Sequence, residues 1–133
     1  MPDILAPLSP GELLDKITIL RIKTARMTDP QKLRNVRAEL ALLVQTWRDS
    51  GCAAHTAAED EQALQSINER LWDVEDRIRE KESARQFDGE FIELARSVYL
   101  SNDERAAIKK RINARLGSRL VEEKSYAPYR AAD

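Results

Sequence analysis

The stretch Leu8–Met27, LSPGELLDKITILRIKTARM, carries firmer helix signals than any stretch after it. Ser9 can cap the first turn, and Glu12 stands three residues later, where its carboxylate can reach the Ser9 N–H. Pro10 falls at the first helical position, where its missing N–H costs nothing. Together these signals predict a helix over residues 10–27.

The apolar residues of this helix fall on two faces. One stripe repeats at three- and four-residue spacing and consists of Leu13, Ile17, Leu20, Thr24 and Met27. Ile19 and Ile22 fall on the opposite side, between Asp15 and Arg26. An uncovered apolar strip is a liability in a monomer, so we predict that Ile19, Ile22 and Arg26 form an interface. The partner would be a second copy of the chain, giving a homodimer, or another helical protein; cover by the third helix or the C-terminal segment is the alternative.

The composition favours long, solvent-exposed helices. Charged residues make up 34% of the 133 residues and aromatic residues 5%, with only 4 glycines and 5 prolines. That balance is more typical of helices than of sheets. A chain of this length forms one domain and can bury a core without disulfides or metal. We therefore predict an all-α fold, a single-domain helical bundle over residues 1–133.

The charge balance and the apolar runs exclude several classes of partner. The 22 basic and 23 acidic residues nearly cancel, so no global field attracts nucleic acid or an anionic membrane. No apolar run approaches the roughly 18 residues that a membrane-spanning helix needs. Asp3 stands where a signal peptide needs a base, and the single Cys52 excludes an internal disulfide. We expect a cytoplasmic protein that binds no nucleic acid and has no membrane span.

The next two helices are predicted from their caps and their apolar stripes. Asp29 followed by Pro30 starts a helix over residues 30–49, whose apolar residues recur at heptad spacing, with Thr28 and Gln31 as the alternative cap. A second capping box opens at Thr56, so we predict the longest helix over residues 57–85. The tight turn between the first two helices implies that they pack as an antiparallel hairpin.

The C-terminal third is predicted to hold two shorter helices and a tail. The break at Gly89 starts a fourth helix over residues 89–100, and a capping box that opens at Ser101 starts a fifth over residues 102–116. Residues 118–133 show no helical stripe. Two tyrosines and a proline in this polar segment indicate an extended strap packed across the helices, and a frayed chain end is the alternative. The predicted bundle therefore has about five helices.

The loop that contains Cys52 and His55 does not indicate a metal or catalytic site. A thiolate–imidazole pair needs a third group to orient it, and zinc needs more ligands than this pair supplies. We interpret both as ordinary loop residues. The sequence predicts no metal site and no cofactor.

Charged side chains lie beside the apolar stripes of three predicted helices and on the tail. If the helices pack with their stripes inward, these side chains line one groove, whose members are Asp15, Lys16, Lys23, Glu75, Arg79, Arg105, Lys109 and Tyr126. Fixed cations beside carboxylates and a phenol suit a phosphorylated or carboxylated small molecule, because arginine grips an oxyanion through two N–H groups. A buried structural network is the alternative, and Glu75 with Arg79 also has the i,i+4 spacing of a simple ion pair.

A small all-α enzyme is a second class of function. The carboxylate pairs Glu12/Asp15 and Glu75/Asp76 can hold Mg²⁺ for attack on the phosphoanhydride of a nucleotide or phospho-sugar, as in all-α nucleotide pyrophosphohydrolases. The separated E-x-x-E and E-x-x-D pairs of those enzymes are not reproduced. The groove also lacks a clear nucleophile, so the sequence favours binding over catalysis and identifies no catalytic residue.

Several strings resemble an uncharacterised bacterial family, a domain of unknown function. They are SPGELLDKITILRIK at residues 9–23, LWDVEDRIREKE at 71–82, VYLSNDERAAIKKRIN at 98–113 and EEKSYAPY at 122–129. Arg21 departs from the family pattern, which has an acidic residue there. The resemblance implies no established activity and transfers no catalytic residue. Because similar domains occur beside or fused to sugar-transfer proteins of surface-polysaccharide assembly, it implies a non-catalytic adaptor for that glycosyl transfer.

Overall fold

The computed structural model describes residues 1–129, and helices are the only regular elements in that range. The helices are α1, Pro10–Arg26; α2, Pro30–Asp49; α3, Ala58–Ser83; and α4, Gly89–Arg115, with a short 3-10 turn at Cys52–Ala54. The predicted all-α fold is confirmed. Part of the predicted tail, residues 130–133, lies outside the described residues. None of the helices within residues 1–129 is both long and apolar enough to cross a membrane.

The starts of α1 and α2 follow the predicted caps. The Ser9 hydroxyl accepts a hydrogen bond from the Glu12 N–H at 3.1 Å, and the Asp29 carboxylate accepts from two N–H groups of the first turn of α2. The capping box predicted at Thr56 is wrong. Its hydroxyl donates to the carbonyl of Cys52, and α3 begins at Ala58 without a side-chain cap.

The predicted count of five helices is also wrong, because α4 runs without a break across Ser101. No glycine or proline interrupts residues 90–116, and Ser101 is 3% exposed in the middle of the helix. Residues 94, 98, 101, 108 and 112 share one side of a continuous helix, and all of them are buried or half-buried. Burial of that side along the whole helix stabilises the fold by more than the cap at Ser101 would, since a helix cap contributes about 1 kcal/mol.

The two longest helices form an antiparallel hairpin. Asp60 near the start of α3 pairs with Arg111 near the end of α4, and Lys81 near the end of α3 pairs with Asp88 just before α4. Each helix is roughly 40 Å long at 1.5 Å per residue. The α3–α4 hairpin therefore provides one long surface on which other elements can pack.

The first helix joins the other three. It packs on α2, α3 and α4, as the apolar groups on two of its faces predict. The core cluster is formed by Leu13, Leu14, Ile17, Trp47, Leu64, Ile67, Ile108 and Ile112. Because α1 supplies the centre of this cluster, its polar side chains at the same level also face α3 and α4.

The interface predicted on the second face of α1 needs correction. Ile22 is 3% exposed within the single chain, so the chain itself covers it and it is not available to a partner. Ile19 is half-buried, and Arg26 is exposed with an ion pair to Asp73 at 2.6 Å. The chain therefore covers Ile22, whereas Ile19 and Arg26 remain accessible, and a homodimer or a helical partner stays a prediction.

The segment after α4 does not match the predicted strap across the helices. Residues 118–129 contain no helix or strand, and their side chains contact α4. Lys124 pairs with Asp103 at 2.5 Å, and the Tyr99 and Tyr129 rings lie 5.5 Å apart. We refer to residues 118–129 as the C-terminal segment; its contacts run along α4.

Candidate functional site

Asp15 and Arg105 form the centre of the polar residues between α1 and α4. The Asp15 side chain is 1% exposed, and it accepts two hydrogen bonds from Arg105: Nε to Oδ1 at 2.8 Å and Nη2 to Oδ2 at 2.5 Å. This bidentate geometry is the strong form of an arginine–carboxylate pair. The bond from Asp15 raises the pKa of Arg105 above its ordinary value, against the opposing effect of burial.

Two neutral side chains complete the surroundings of the Asp15 carboxylate. The Asn68 amide on α3 donates to Asp15 Oδ1 and to Thr18 Oγ1, both at 2.9 Å. Thr18 Oγ1 in turn donates to the Asp15 carbonyl oxygen at 2.8 Å. All three residues are buried. The network therefore ties α1, α3 and α4 together and satisfies a buried charge, as such charges require.

Lys109 lies one helical turn beyond Arg105 and joins α1 to the C-terminal segment. Its ammonium contacts Glu12 at 3.0 Å and Glu122 at 3.2 Å. Burial on its own lowers the pKa of Lys109, but Glu12, Asp15 and Glu122 outweigh burial and raise it above the ordinary value. Lys109 is therefore a fixed cation at physiological pH.

The close approach of α1 to α4 at this point depends on Gly11. The Gly11 N–H donates to Asn113 Oδ1 at 2.8 Å. A Cβ at position 11 would lie 2.7 Å from the Lys109 carbonyl oxygen and 2.9 Å from Asn113 Oδ1. Only a residue without a side chain fits there, so Gly11 sets the distance between the two helices.

Five of the eight predicted groove residues line two clefts that share Arg105. We call the first the α4–tail cleft. It has a volume of about 410 Å³, and the charged and phenolic groups that line it are Asp103, Arg105, Lys109, Glu122, Glu123, Lys124 and Tyr126. Three predicted residues, Arg105, Lys109 and Tyr126, thus come together here.

We call the second one the Trp72 cleft. It has a volume of about 400 Å³ and is lined by residues of α1, α3 and α4, which are Ile19, Asn68, Leu71, Trp72, Glu75, Asp76, Arg79 and Arg105. Glu75 and Arg79 form the ion pair expected from their i,i+4 spacing, at 3.4 Å. The predicted single groove is therefore two clefts, with Asp15 buried behind Arg105.

Two predicted members, Lys16 and Lys23, line neither cleft. Lys16 is exposed and Lys23 is half-buried. Consecutive helical residues are turned by about 100°, so Lys16 cannot share the direction of Asp15. Lys23 lies two turns farther along α1, about 12 Å from Asp15 along the axis.

The sequence prediction missed four charged residues of the α4–tail cleft, which are Asp103, Glu122, Glu123 and Lys124. Asp103 and Lys124 meet across 21 positions of the chain, and Glu122 reaches Lys109 from the same segment. The C-terminal segment has no helical period, so its sequence does not indicate which side chains turn toward α4. Asn68 carried a usable signal, because it is a polar residue beside the apolar stripe of α3.

Comparison with known proteins assigns the chain to a family. No curated protein and no solved structure matches the chain. One family model does, and it covers residues 5–132, which is almost the whole chain. The chain belongs to DUF6165, a family of unknown function.

Proposed function

We propose that the protein is a non-catalytic helical binding protein whose α4–tail cleft holds an anionic small molecule. The observation that carries the proposal is the convergence of Arg105, Lys109 and Lys124 on one cleft, beside the Tyr126 phenol. Three cations and a phenol are the groups that recognise phosphate or carboxylate oxygens. The role that we propose for such binding is that of an adaptor for surface-polysaccharide glycosyl transfer, which rests on the family resemblance of the sequence strings.

Arg105 is held in place before any ligand arrives. Asp15 engages its Nε and Nη2 atoms, which fixes the plane of the guanidinium. A guanidinium has five N–H donors, so three remain after the two bonds to Asp15. A cation that is already oriented loses little conformational entropy on binding, and that favours affinity.

The carboxylates of the α4–tail cleft must yield to an incoming oxyanion. Lys109 contacts Glu122 and Lys124 contacts Asp103, but these two acidic side chains are 26% and 30% exposed. The third acid, Glu123, is 74% exposed. Each can therefore turn toward water when a ligand oxygen takes its place. Glu122 and Lys124 also belong to the C-terminal segment, which has no helical hydrogen bonds to break when it adjusts.

The metal-dependent enzyme has less support than binding. Glu12 and Asp15 are each bound by a cation, Lys109 and Arg105. Within the described part of the chain, no group of three His, Cys, Asp or Glu side chains comes together as a metal site. Three of the four carboxylates predicted to hold Mg²⁺, Glu12, Asp15 and Glu75, therefore serve as partners of basic side chains.

Isothermal titration calorimetry with pyrophosphate and with uridine diphosphate glucose tests the proposal. We expect saturable binding by the wild-type chain. Lys124→Gln should weaken it about tenfold, the loss of one charge-assisted hydrogen bond, and Tyr126→Phe should weaken it less. Lys32→Gln is the matched control, because Lys32 is an exposed lysine of α2 that does not line the cleft. Absence of binding, or an equal loss in the Lys32 variant, would contradict the proposal.

A further inference from the structure

The Trp72 cleft has a different chemical character from the α4–tail cleft. Its apolar wall is formed by Ile19, Leu71 and Trp72, all half-buried. A volume of about 400 Å³ lies within the range of small-molecule sites. An aromatic ring combined with aliphatic side chains supplies a surface for the apolar side of a ring.

The polar side of this cleft carries no net charge. Two acids, Glu75 and Asp76, stand with two arginines, Arg79 and Arg105. Such a set offers hydrogen-bond acceptors and donors side by side. Asn68 adds its Oδ1 as an acceptor, because its two amide N–H groups already bond to Asp15 and Thr18. Ligand groups that donate and accept at once match this surface, and hydroxyl groups have that property.

The acid and base at the rim are free to rearrange around such a ligand. The Arg79–Glu75 contact is long, at 3.4 Å, and the two side chains are 79% and 49% exposed. An exposed i,i+4 pair of this kind is worth only a few tenths of a kcal/mol. Replacing it with hydrogen bonds to ligand hydroxyls is therefore inexpensive, whereas Arg105 stays fixed by Asp15.

We propose that the Trp72 cleft binds a neutral, polyhydroxylated ring, a sugar residue, with its apolar side on Trp72 and its hydroxyls on Glu75 and Arg79. The apolar wall can pack against the sugar ring, and the donors and acceptors beside it can form hydrogen bonds with the hydroxyls. The inference is independent of anion binding in the α4–tail cleft, because it uses different side chains apart from Arg105.

The test follows the two tryptophan indole N–H signals by NMR. Trp47 is buried in the core, and Trp72 lines the cleft, so Trp47 is an internal reference and Trp72→Phe assigns the signals. Glucose and N-acetylglucosamine should shift the Trp72 signal with saturation in the millimolar range, while Trp47 stays in place. Mannitol, a linear polyol, should give no saturation because it lacks the ring.

Matched variants make the result specific to the cleft. Glu75→Gln should weaken the sugar titration about tenfold. Glu82→Gln, an exposed acid on the same helix outside the cleft, should leave it unchanged. A non-saturating drift, an equal response to mannitol, or insensitivity to Glu75→Gln would overturn the inference. If sugars bind here but pyrophosphate does not bind the protein, only the proposed function of the α4–tail cleft fails.

Discussion

Asp15 and Arg105 are 90 positions apart in the chain, yet the Asp15 carboxylate and the Arg105 guanidinium meet through two hydrogen bonds of 2.8 and 2.5 Å. One partner is buried on α1, and the other reaches it from α4 between the two clefts. The pair therefore links the stability of the bundle to the orientation of Arg105, a side chain that both clefts share.

Replacing only one member of this pair should strongly destabilise the fold. Asp15→Leu leaves Arg105 without its partner, and Arg105→Leu leaves a buried carboxylate that only Asn68 can satisfy. We expect each change to reduce the free energy of unfolding by about 3–5 kcal/mol. The double variant should lose less than the sum, because no unpaired buried charge remains. Urea unfolding measures all three. Additive losses would show that the two residues do not act as a pair.

Gly11 gives a steric test of the contact between α1 and α4. Gly11→Ala places a methyl group 2.7 Å from the Lys109 carbonyl oxygen, a backbone atom that cannot turn aside. We expect a loss of about 1–3 kcal/mol, although alanine has the better helix propensity by about 1 kcal/mol. Gly89→Ala is the matched control, since nothing lies within 4 Å of its added Cβ. If thermal melts show a raised melting temperature for both variants, α1 and α4 are not in tight contact at Gly11.

The acid cluster at the α3–α4 turn predicts loss of stability at low pH. The Lys81 ammonium holds the pKa of Asp88 below its ordinary value, and Arg77 with Lys81 does the same for Glu90. Such carboxyl groups stabilise the fold above their unfolded pKa values, about 3.9 and 4.3. Their contribution is lost as the pH falls through the lower folded values. The free energy of unfolding should therefore decrease as the pH falls below about 5.

Lys81→Met isolates the source of that pH dependence. The Lys81 side chain is 8% exposed, so methionine keeps most of its packing and removes only the charge. The slope of unfolding free energy against pH should become shallower between about pH 5 and pH 2. Lys32→Met, on α2, should leave the slope unchanged. Identical slopes in the wild type and in Lys81→Met would contradict the assignment.

The sequence predicted α1 and its central position well, because its signals are local. Ser9 and Pro10 mark the first turn, and the apolar groups on two faces require cover on two sides. The partners of Asp15 were beyond the reach of sequence. Periodicity shows that a charge borders an apolar stripe, but not which of several arginines on other helices lies opposite it. That choice depends on helix crossing, which the Gly11 contact helps to set.

The errors in the sequence prediction come from competition between local and tertiary effects. Thr56 had the residue pattern of a cap, in which its hydroxyl would accept from a backbone N–H. The N-cap position is Ala57 instead, and the Thr56 hydroxyl donates to the Cys52 carbonyl in the preceding turn. Ile22 had the pattern of an exposed strip, but the chain buries it. The C-terminal segment had no periodic pattern at all, so the contribution of Lys124 to a cleft became visible only in the structure.

Ser101 and Ser9 offer a direct comparison between a cap pattern inside a helix and a real cap. Both begin a sequence of the capping-box type, but Ser101 is buried in the middle of α4, whereas the Ser9 hydroxyl accepts the Glu12 N–H. Ser9→Ala should cost about 0.5–2 kcal/mol, the usual loss on removing an N-cap. Ser101→Ala should cost nothing or stabilise by up to about 0.5 kcal/mol, since alanine is the better helix former. Urea unfolding of the two variants measures both changes, and a loss at Ser101 equal to that at Ser9 would mean that a helix begins there and that α4 is two helices.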